Sequence, residues 1–306
     1  MSLFARLIDS LHIYFKGAAY WEVPQPLTVE GALQPHNHII LLDRGHLAAG
    51  ESFMEVPPKS FFFFPAGQPI HVRYGKGALS ALSASDFDDE ERMGKYFRPV
   101  SGLSDLSKKQ EVVITVSFDA LLYDTIPFFE TLGLPPFPLV PDEEFSHLIR
   151  YIALENEQSK LGRDKLLRNY MEEIIIHMCR YLDRKPQYRR YLERLEYLTD
   201  RRLVDIVKHI QAHLNGDLSN KVLAQIAYVS EDYVGQFFKA LTGSNLQDFI
   251  EDQRLQRAKR LLQTRPDSIQ EISREVGFRD PAYFSRRFKM RFGVNATSMR
   301  SMKEAD

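Results

Sequence analysis

The stretch SIQEISREVGFRDPAYFSRRFKMRF, residues 268–292, constrains the fold of this chain more than any other part of it. Ser268 is followed three residues later by Glu271, the spacing of a capping box, so a helix is predicted to begin there. Gly277 permits a turn at positive φ, and Asp280 followed by a proline predicts the start of a second helix. This is the plan of a helix-turn-helix, whose second helix enters the major groove of DNA. An ordinary helical hairpin with a solvated basic face would give the same local pattern.

The same pattern occurs about fifty residues earlier in the chain. Ser230 and Gly243 bound the earlier copy at the positions that Asp280 and Gly293 hold in the later one. Between the copies, residues 246–263 carry apolar residues at helical spacing and predict one long connecting helix. An internal repeat is hard to obtain by accident, so the sequence favours two helix-turn-helix units over two ordinary hairpins.

The free faces of the two second helices carry the candidate DNA-binding residues. In the first unit these are Asp232, Gly235, Gln236 and Lys239. In the second unit they are Ala282, Ser285, Arg286 and Lys289, with Arg287 one position further round the helix. Gln236 and Arg286 are the predicted base readers, because an arginine can donate two hydrogen bonds to one guanine. Arg287 and Lys289 are predicted to contact phosphates.

Residues 201–303 resemble the DNA-binding domain of the AraC/XylS family of bacterial transcription regulators. Both units, the connecting helix and the motif SIQEISREVGFRDPAYFSRRFKMRFGV occur in the family's order. Two departures stand out: Tyr228 occupies the position of the glycine in the first turn, and Ala296 and Met299 replace a usual proline and tyrosine. The resemblance implies a sequence-specific activator that binds double-stranded DNA, contacts RNA polymerase and acts as a homodimer.

The distribution of charge agrees with one DNA-binding part and one part that avoids phosphates. The whole chain of 306 residues has a formal net charge of −1. From residue 201 onward there are 18 Lys and Arg against 13 Asp and Glu, whereas the first 200 residues have 22 against 28. A basic C-terminal part is the expected electrostatic signature of DNA binding.

The part from about residue 27 to 116 consists of short apolar runs divided by glycine and proline, which predicts an antiparallel β sandwich or barrel. Phe61–Phe64 cannot alternate between core and solvent, so this strand is expected to be covered on both faces. Residues 27–120 resemble the cupin-like effector domain that often precedes this DNA-binding domain. The resemblance implies a small-molecule effector, although the inward residues could equally form a packed core.

The predicted fold class is α+β, with an N-terminal cupin-like β-barrel, flanking helices and a C-terminal all-α domain. The expected boundaries are an effector and dimerisation domain over 1–186, a charged linker over 187–202 and the DNA-binding domain over 203–306. Residues 1–20 are expected to form an amphipathic helix. The stripe on the helix over 163–184, which includes Ile174, Ile175 and Met178, is expected to pack partly on the barrel and partly against a second subunit.

We expect no metal, no cofactor and no catalytic residue. His36, His38 and His71 could in principle form a three-histidine metal site of the cupin metalloenzyme kind, which is the alternative function. The glutamate expected shortly after the HxH pair is missing, however. A DNA-repair methyltransferase would need a reactive cysteine in a zinc or His-Glu setting, and Cys179 in IIIHMCRYL has neither.

The expected location is the cytoplasm. No run of about eighteen apolar residues is present, and the N-terminus lacks the pattern of a signal peptide. The single cysteine excludes an internal disulfide and suits a reducing compartment. No membrane partner is expected.

Overall fold

The computed structural model describes residues 7–77, 80–82, 94–100, 108–139, 143–158 and 160–301. The chain divides into two compact units. The N-terminal unit comprises residues 11–121 and 127–193, and the C-terminal unit comprises residues 194–306 together with 1–10 and 122–126. The segment predicted as a charged linker contains short helices.

The strands of the described residues are β1 (Leu11–Glu22), β2 (Leu27–Leu33), β3 (Asn37–Arg44), β4 (Leu47–Ala49), β5 (Met54–Val56), β6 (Phe61–Phe64), β7 (Pro69–Tyr74), β8 (Ser80–Leu82), β9 (Arg98–Pro99), β10 (Val112–Leu122), β11 (Ile126–Pro127) and β12 (Phe137–Leu139). They form two sheets. The first has the order β12-β6-β3-β10-β1-β9, with β11 paired to β10, and the second has the order β5-β4-β7-β2-β8.

The α+β class is confirmed, and of the predicted sandwich or barrel the described residues form two sheets that do not close into a barrel. No hydrogen-bonded strand pair joins the two sheets there. The edges are formed by β12, β9, β5 and β8, which are only two or three residues long and therefore offer few ladder hydrogen bonds to another strand.

The strand Phe61–Phe64 is buried on both faces, as the sequence predicts. Phe62 and Phe64 belong to the core between the two sheets. On the opposite face, the ring of Phe63 lies 4.7 Å from that of Phe129 and 5.2 Å from that of Phe137. Four successive phenylalanines are therefore accommodated because apolar layers cover both sides of the first sheet.

The N-terminal helix predicted over residues 1–20 is wrong from residue 11 onward, where strand β1 (Leu11–Glu22) begins. Its residues pair with β10 and β9, which come from about a hundred residues further along the chain. Such non-local pairing overrides an apparent helical spacing in a short segment that is rich in aromatic residues. The earlier part of the predicted helix, including Leu3 and Phe4, lies outside the described residues.

The helices of the N-terminal unit are α1 (Phe128–Leu132), α2 (Glu143–Glu157), α3 (Arg163–Arg184) and α4 (Arg189–Leu192). Helix α3 packs on α2 and β1. Its predicted interface residues Ile174, Ile175 and Met178 are at most 1% exposed within a single chain. These three residues form core, so they do not provide the predicted dimer contact, and a contact through the part of the stripe that remains exposed stays a prediction. A charged residue there would destabilise the fold.

The helices of the C-terminal unit are α5 (Arg194–Leu198), α6 (Arg201–Ala212), α7 (Asn220–Ala227), α8 (Glu231–Thr242), α9 (Leu246–Thr264), α10 (Ile269–Glu275), α11 (Pro281–Phe292) and α12 (Ala296–Ser301). Helix α9 is the predicted connecting helix. All seven of its predicted inward residues are buried, namely Leu246, Phe249, Ile250, Leu255, Ala258, Leu261 and Leu262. Among the described residues, no helix is long and apolar enough to cross a bilayer.

Candidate DNA-binding surface

The first helix-turn-helix unit consists of α7, a turn at Tyr228 and α8. Leu223 and Ala227 of α7 are buried, and Tyr228 ends the helix in the left-handed conformation with φ 54° and ψ 43°. Ser230 then occupies the N-cap position of α8, and Gly243 ends α8 at φ 75°. The turn geometry is therefore retained although a tyrosine stands where the domain that this segment resembles has glycine.

The second unit follows its sequence signals closely. Ser268 and Glu271 form both hydrogen bonds of the capping box at the start of α10. Gly277 has φ +96°, which favours glycine, and the N–H of Ala282 donates to the Asp280 carboxylate at 2.8 Å. Phe284 and Phe288 fix α11 against the core, with no side-chain exposure. These caps and buried rings define which face of α11 remains free.

The predicted DNA-contacting residues lie on the solvent side of α8 and α11. The exposed ones are Asp232, Gln236, Lys239, Ala282, Ser285, Arg286 and Lys289. Gly235 and Arg287 are half-buried. The Ser285 hydroxyl donates to the Pro281 carbonyl at 2.9 Å, so this donor is already engaged within α11. The guanidinium of Arg286 lies 5.9 Å from the ring centroid of Tyr283. Contact of these residues with DNA stays a prediction.

Arg287 is half-buried and paired with a carboxylate of the connecting helix α9. Its guanidinium donates to the Glu251 carboxylate of α9, and the Tyr283 hydroxyl donates to the same carboxylate at 2.6 Å. These contacts raise the pKa of Arg287 and of Tyr283, chiefly through the hydrogen bonds to Glu251. Because Glu251 already neutralises Arg287, the pairing counts against its predicted phosphate contact.

Sequence reasoning missed the role of the acidic pair on the connecting helix. Asp252 accepts a hydrogen bond from Arg291 of α11, so Glu251 and Asp252 together tie α11 to α9. The available signal was two adjacent carboxylates in an otherwise basic domain. The pair therefore fixes the orientation of α11 relative to α9.

A close contact joins α9 and the turn of the second unit to the residues that precede the first unit. The Nε of Arg254 on α9 donates to the carbonyl oxygen of Leu214, which precedes the first unit, at 2.8 Å. Burial lowers the pKa of Arg254, and the nearby Glu251 carboxylate offsets only part of this shift. A Cβ built on Gly277 would lie 2.3 Å from the same Leu214 oxygen. The turn of the second unit therefore packs directly on backbone next to the first, and only glycine fits there.

Replacing Tyr228 by glycine is expected to stabilise the protein by about 0.5–1 kcal/mol, because glycine adopts the left-handed conformation without the steric cost that tyrosine bears. The Tyr228 side chain is 92% exposed, so little packing is lost. The measurement is urea unfolding followed by circular dichroism. Tyr228→Ala is the control, since it removes the ring but keeps a residue with a Cβ in the left-handed conformation. Equal stability of the two variants would contradict this account of the turn.

The three histidines considered as metal ligands are not gathered into one cluster. The Nδ1 of His36 lies 2.8 Å from Asp119, the Nδ1 of His38 lies 2.8 Å from the Ser117 hydroxyl, and the His71 ring packs edge-on against Phe53. Among the described residues, no group of three or more His, Cys, Asp or Glu is arranged to hold a metal ion.

The lone cysteine is not placed for chemistry. Cys179 is buried in α3, and burial, reinforced by Asp183, raises the pKa of its thiol. A protonated, inaccessible thiol does not act as a nucleophile. The geometry therefore gives the methyltransferase alternative no support.

The C-terminal unit contains a segment that is similar to known proteins. A profile described as a helix-turn-helix domain matches residues 223–302. The HTH-type transcriptional regulator GlxA of Rhizobium meliloti (strain 1021) is 33% identical over 98 residues, which are 32% of this chain and 30% of that protein. The uncharacterized HTH-type transcriptional regulator YisR of Bacillus subtilis (strain 168) is 26% identical over 160 residues, 52% of this chain and 50% of that protein. The chain thus spans a third to a half of the length of these curated relatives.

Among solved structures, the DNA-binding domain of the global transcriptional factor AdpA, in complex with a target DNA, is 29% identical. The match covers 35% of this chain and 96% of that domain, with a TM-score of 0.33. The sequence match over 223–302 coincides with α7 to α12, which include both helix-turn-helix units and their connecting helix. The C-terminal unit therefore carries a helix-turn-helix domain.

Proposed function

We propose that the protein is a sequence-specific transcription regulator that binds double-stranded DNA through both helix-turn-helix units. The observation that carries this proposal is the pair of exposed faces on α8 and α11. Each presents polar or cationic side chains next to a buried apolar face, and α9 connects the two units. Two helices connected in this way can enter successive major grooves on one side of a DNA duplex.

The N-terminal unit is proposed to control this DNA binding through a small-molecule effector. Activation through RNA polymerase, a homodimeric state and a cytoplasmic location belong to the same proposal. Because Ile174 and Met178 are buried, a dimer contact on α2 and α3 would have to use residues that remain exposed, such as Tyr151 and Leu166, which are 53% and 39% exposed. We further propose that the protein acts by binding DNA and not as an enzyme. The helix-turn-helix domain supports DNA recognition, and the three candidate histidines are not gathered into one metal site.

The full chain is expected to enrich a defined sequence from a random pool of duplexes, and its affinity is expected to fall steeply with salt. If about six phosphates are neutralised, the affinity should fall about 10³-fold between roughly 50 and 200 mM salt, because counterions are released. The measurement is equilibrium binding to the enriched duplex at several salt concentrations. A scrambled duplex of equal length is the control. A folded chain that binds both duplexes equally under all conditions would rule out sequence-specific recognition.

A further inference from the structure

The N-terminal unit contains a cavity of about 770 Å³. Its walls come from strands of both sheets, namely β1, β2, β3, β7, β9 and β10, and from α2. The cavity is not fully enclosed, so a ligand has a route into it. It falls in the range of cavities that hold small molecules.

Aromatic rings give the cavity its shape. Trp21, Tyr74 and Phe97 line it. The Phe97 ring lies edge-on to both neighbours, with centroids 6.3 Å from Trp21 and 5.4 Å from Tyr74. Small residues of β1, among them Gly17 and Ala18, leave the space in front of these rings open. These rings favour an aromatic ligand, because its ring can make further edge-to-face contacts with them.

The polar groups of the cavity are few and held in place. The Trp21 indole N–H donates to the Thr115 hydroxyl at 2.9 Å, and the Asn156 amide donates to the Ala18 carbonyl at 2.8 Å. The Nδ1 of His38 is engaged with Ser117 at 2.8 Å. Its other ring nitrogen, Nε2, makes no hydrogen bond to another described residue, so His38 has one position left for a ligand.

The described residues that line the cavity include polar groups but no charged side chain. Among the described residues that line it there is no Asp, Glu, Lys or Arg. Burial, with a smaller effect of His36, lowers the pKa of His38 to about 4, and burial raises the pKa of Tyr74. Both side chains are therefore neutral at pH 7. A carboxylate, phosphate or sulfonate would lose its hydration here without finding a counter-ion, which is costly.

We propose that this cavity binds an uncharged molecule with an aromatic ring and a hydroxyl or carbonyl group, which forms a hydrogen bond with His38. The inference rests on the proposed effector role of the N-terminal unit and names the chemical class of that effector. The rings of Trp21, Tyr74 and Phe97 contact the apolar part of the ligand. His38 orients its single polar group.

The test compares 2-naphthol with 2-naphthalenesulfonate, which share one ring system and differ in charge. Calorimetry on the full chain is expected to find one 2-naphthol per chain and at least about 10-fold weaker binding of the sulfonate, because the cavity offers the anion no partner. Trp21 is the only tryptophan of the chain, so a change in its fluorescence reports binding in the cavity.

Three variants locate the binding. A Cβ on Gly17 meets no atom within 4 Å, so Gly17→Phe should fill the cavity and weaken 2-naphthol binding at least about 10-fold. Leu33→Phe is the matched control, because Leu33 lies on β2, the next strand along the chain, but is 65% exposed, and it should leave binding unchanged. His38→Leu should weaken the binding of 2-naphthol about 5-fold, because the hydrogen bond to His38 is lost. This variant also provides a test if Gly17→Phe does not fold.

Several results would overturn the proposal: equal affinity for the two probes, undiminished 2-naphthol binding in both the Gly17→Phe and His38→Leu variants, or no binding of 2-naphthol at about 1 mM, where even weak sites fill. All measurements are made without DNA. A failure of DNA binding would therefore leave this result intact, and a failure of ligand binding would leave the DNA-binding proposal intact.

Discussion

Replacing Gly277 by alanine is expected to destabilise the C-terminal unit by about 2–5 kcal/mol. The backbone at this position has φ +96°, and an L residue held in the left-handed region costs about 1–2 kcal/mol. The new Cβ would also lie 2.3 Å from the Leu214 carbonyl oxygen and 2.8 Å from the Nε of Arg254. Because Arg254 donates to that oxygen, neither group can move without loss of their hydrogen bond, and such overlap costs about 1–3 kcal/mol more.

The structure offers a matched control for this substitution. Gly243 also has positive φ, at +75°, but a Cβ there would meet nothing within 4 Å. Gly243→Ala should therefore cost only the backbone term of about 1–2 kcal/mol. The measurement is urea unfolding by circular dichroism, with Trp21 fluorescence recorded separately because Trp21 belongs to the N-terminal unit. If the two alanine variants are equally stable, the contact between Gly277 and Leu214 does not constrain the domain.

The elements that the sequence predicts correctly are those with local signals. The capping box at Ser268, the turn at Gly277 and the N-cap at Asp280 each depend on residues within four positions of one another. The apolar spacing of α9 is also a local pattern, and its inward residues are buried as predicted. A helix end or a helical face can be recognised in this way because its hydrogen bonds and contacts are close in sequence.

The features that sequence reasoning missed depend on distant partners. Leu11–Glu22 is a strand because β10 and β9 lie beside it, which no pattern within the segment reveals. Ile174 and Met178 look like an interface stripe until α2 and β1 are seen to cover them. The pairing of Arg287 with Glu251 joins residues 36 positions apart, so a helical wheel of α11 alone leaves Arg287 free for DNA.

The cavity of the N-terminal unit shows a further limit of sequence reasoning. Trp21, His38 and Tyr74 come from three strands, and their convergence depends on how the two sheets pack. The sequence left open whether the inward residues form a packed core or a pocket. The choice depends on small residues such as Gly17 and Ala18, which leave space unfilled, and this effect of volume is visible only in three dimensions.

Arg286→Ala is expected to relax the sequence preference of the full chain at one or two base pairs and to cost about 1–3 kcal/mol there, roughly a 5- to 150-fold loss of discrimination. Arg286 is exposed on α11, and among the described residues its guanidinium makes no ion pair, in contrast to that of Arg287. It can therefore offer two donors to one guanine. The measurement is binding to every single-base variant of the enriched duplex.

Lys289→Ala is the contrasting variant, because a lysine that contacts phosphate affects all sequences alike. Lys289 is exposed on α11. Its loss should weaken binding to every duplex equally and reduce the slope of log affinity against log salt concentration by about one. Gln236→Ala on α8 should relax a different position, about one helical turn (roughly 34 Å) away, since each unit reads its own stretch of groove. If Arg286→Ala instead behaves like Lys289→Ala, with a uniform loss at every base pair, then Arg286 contacts the backbone and the readout of the second unit lies in other residues of α11.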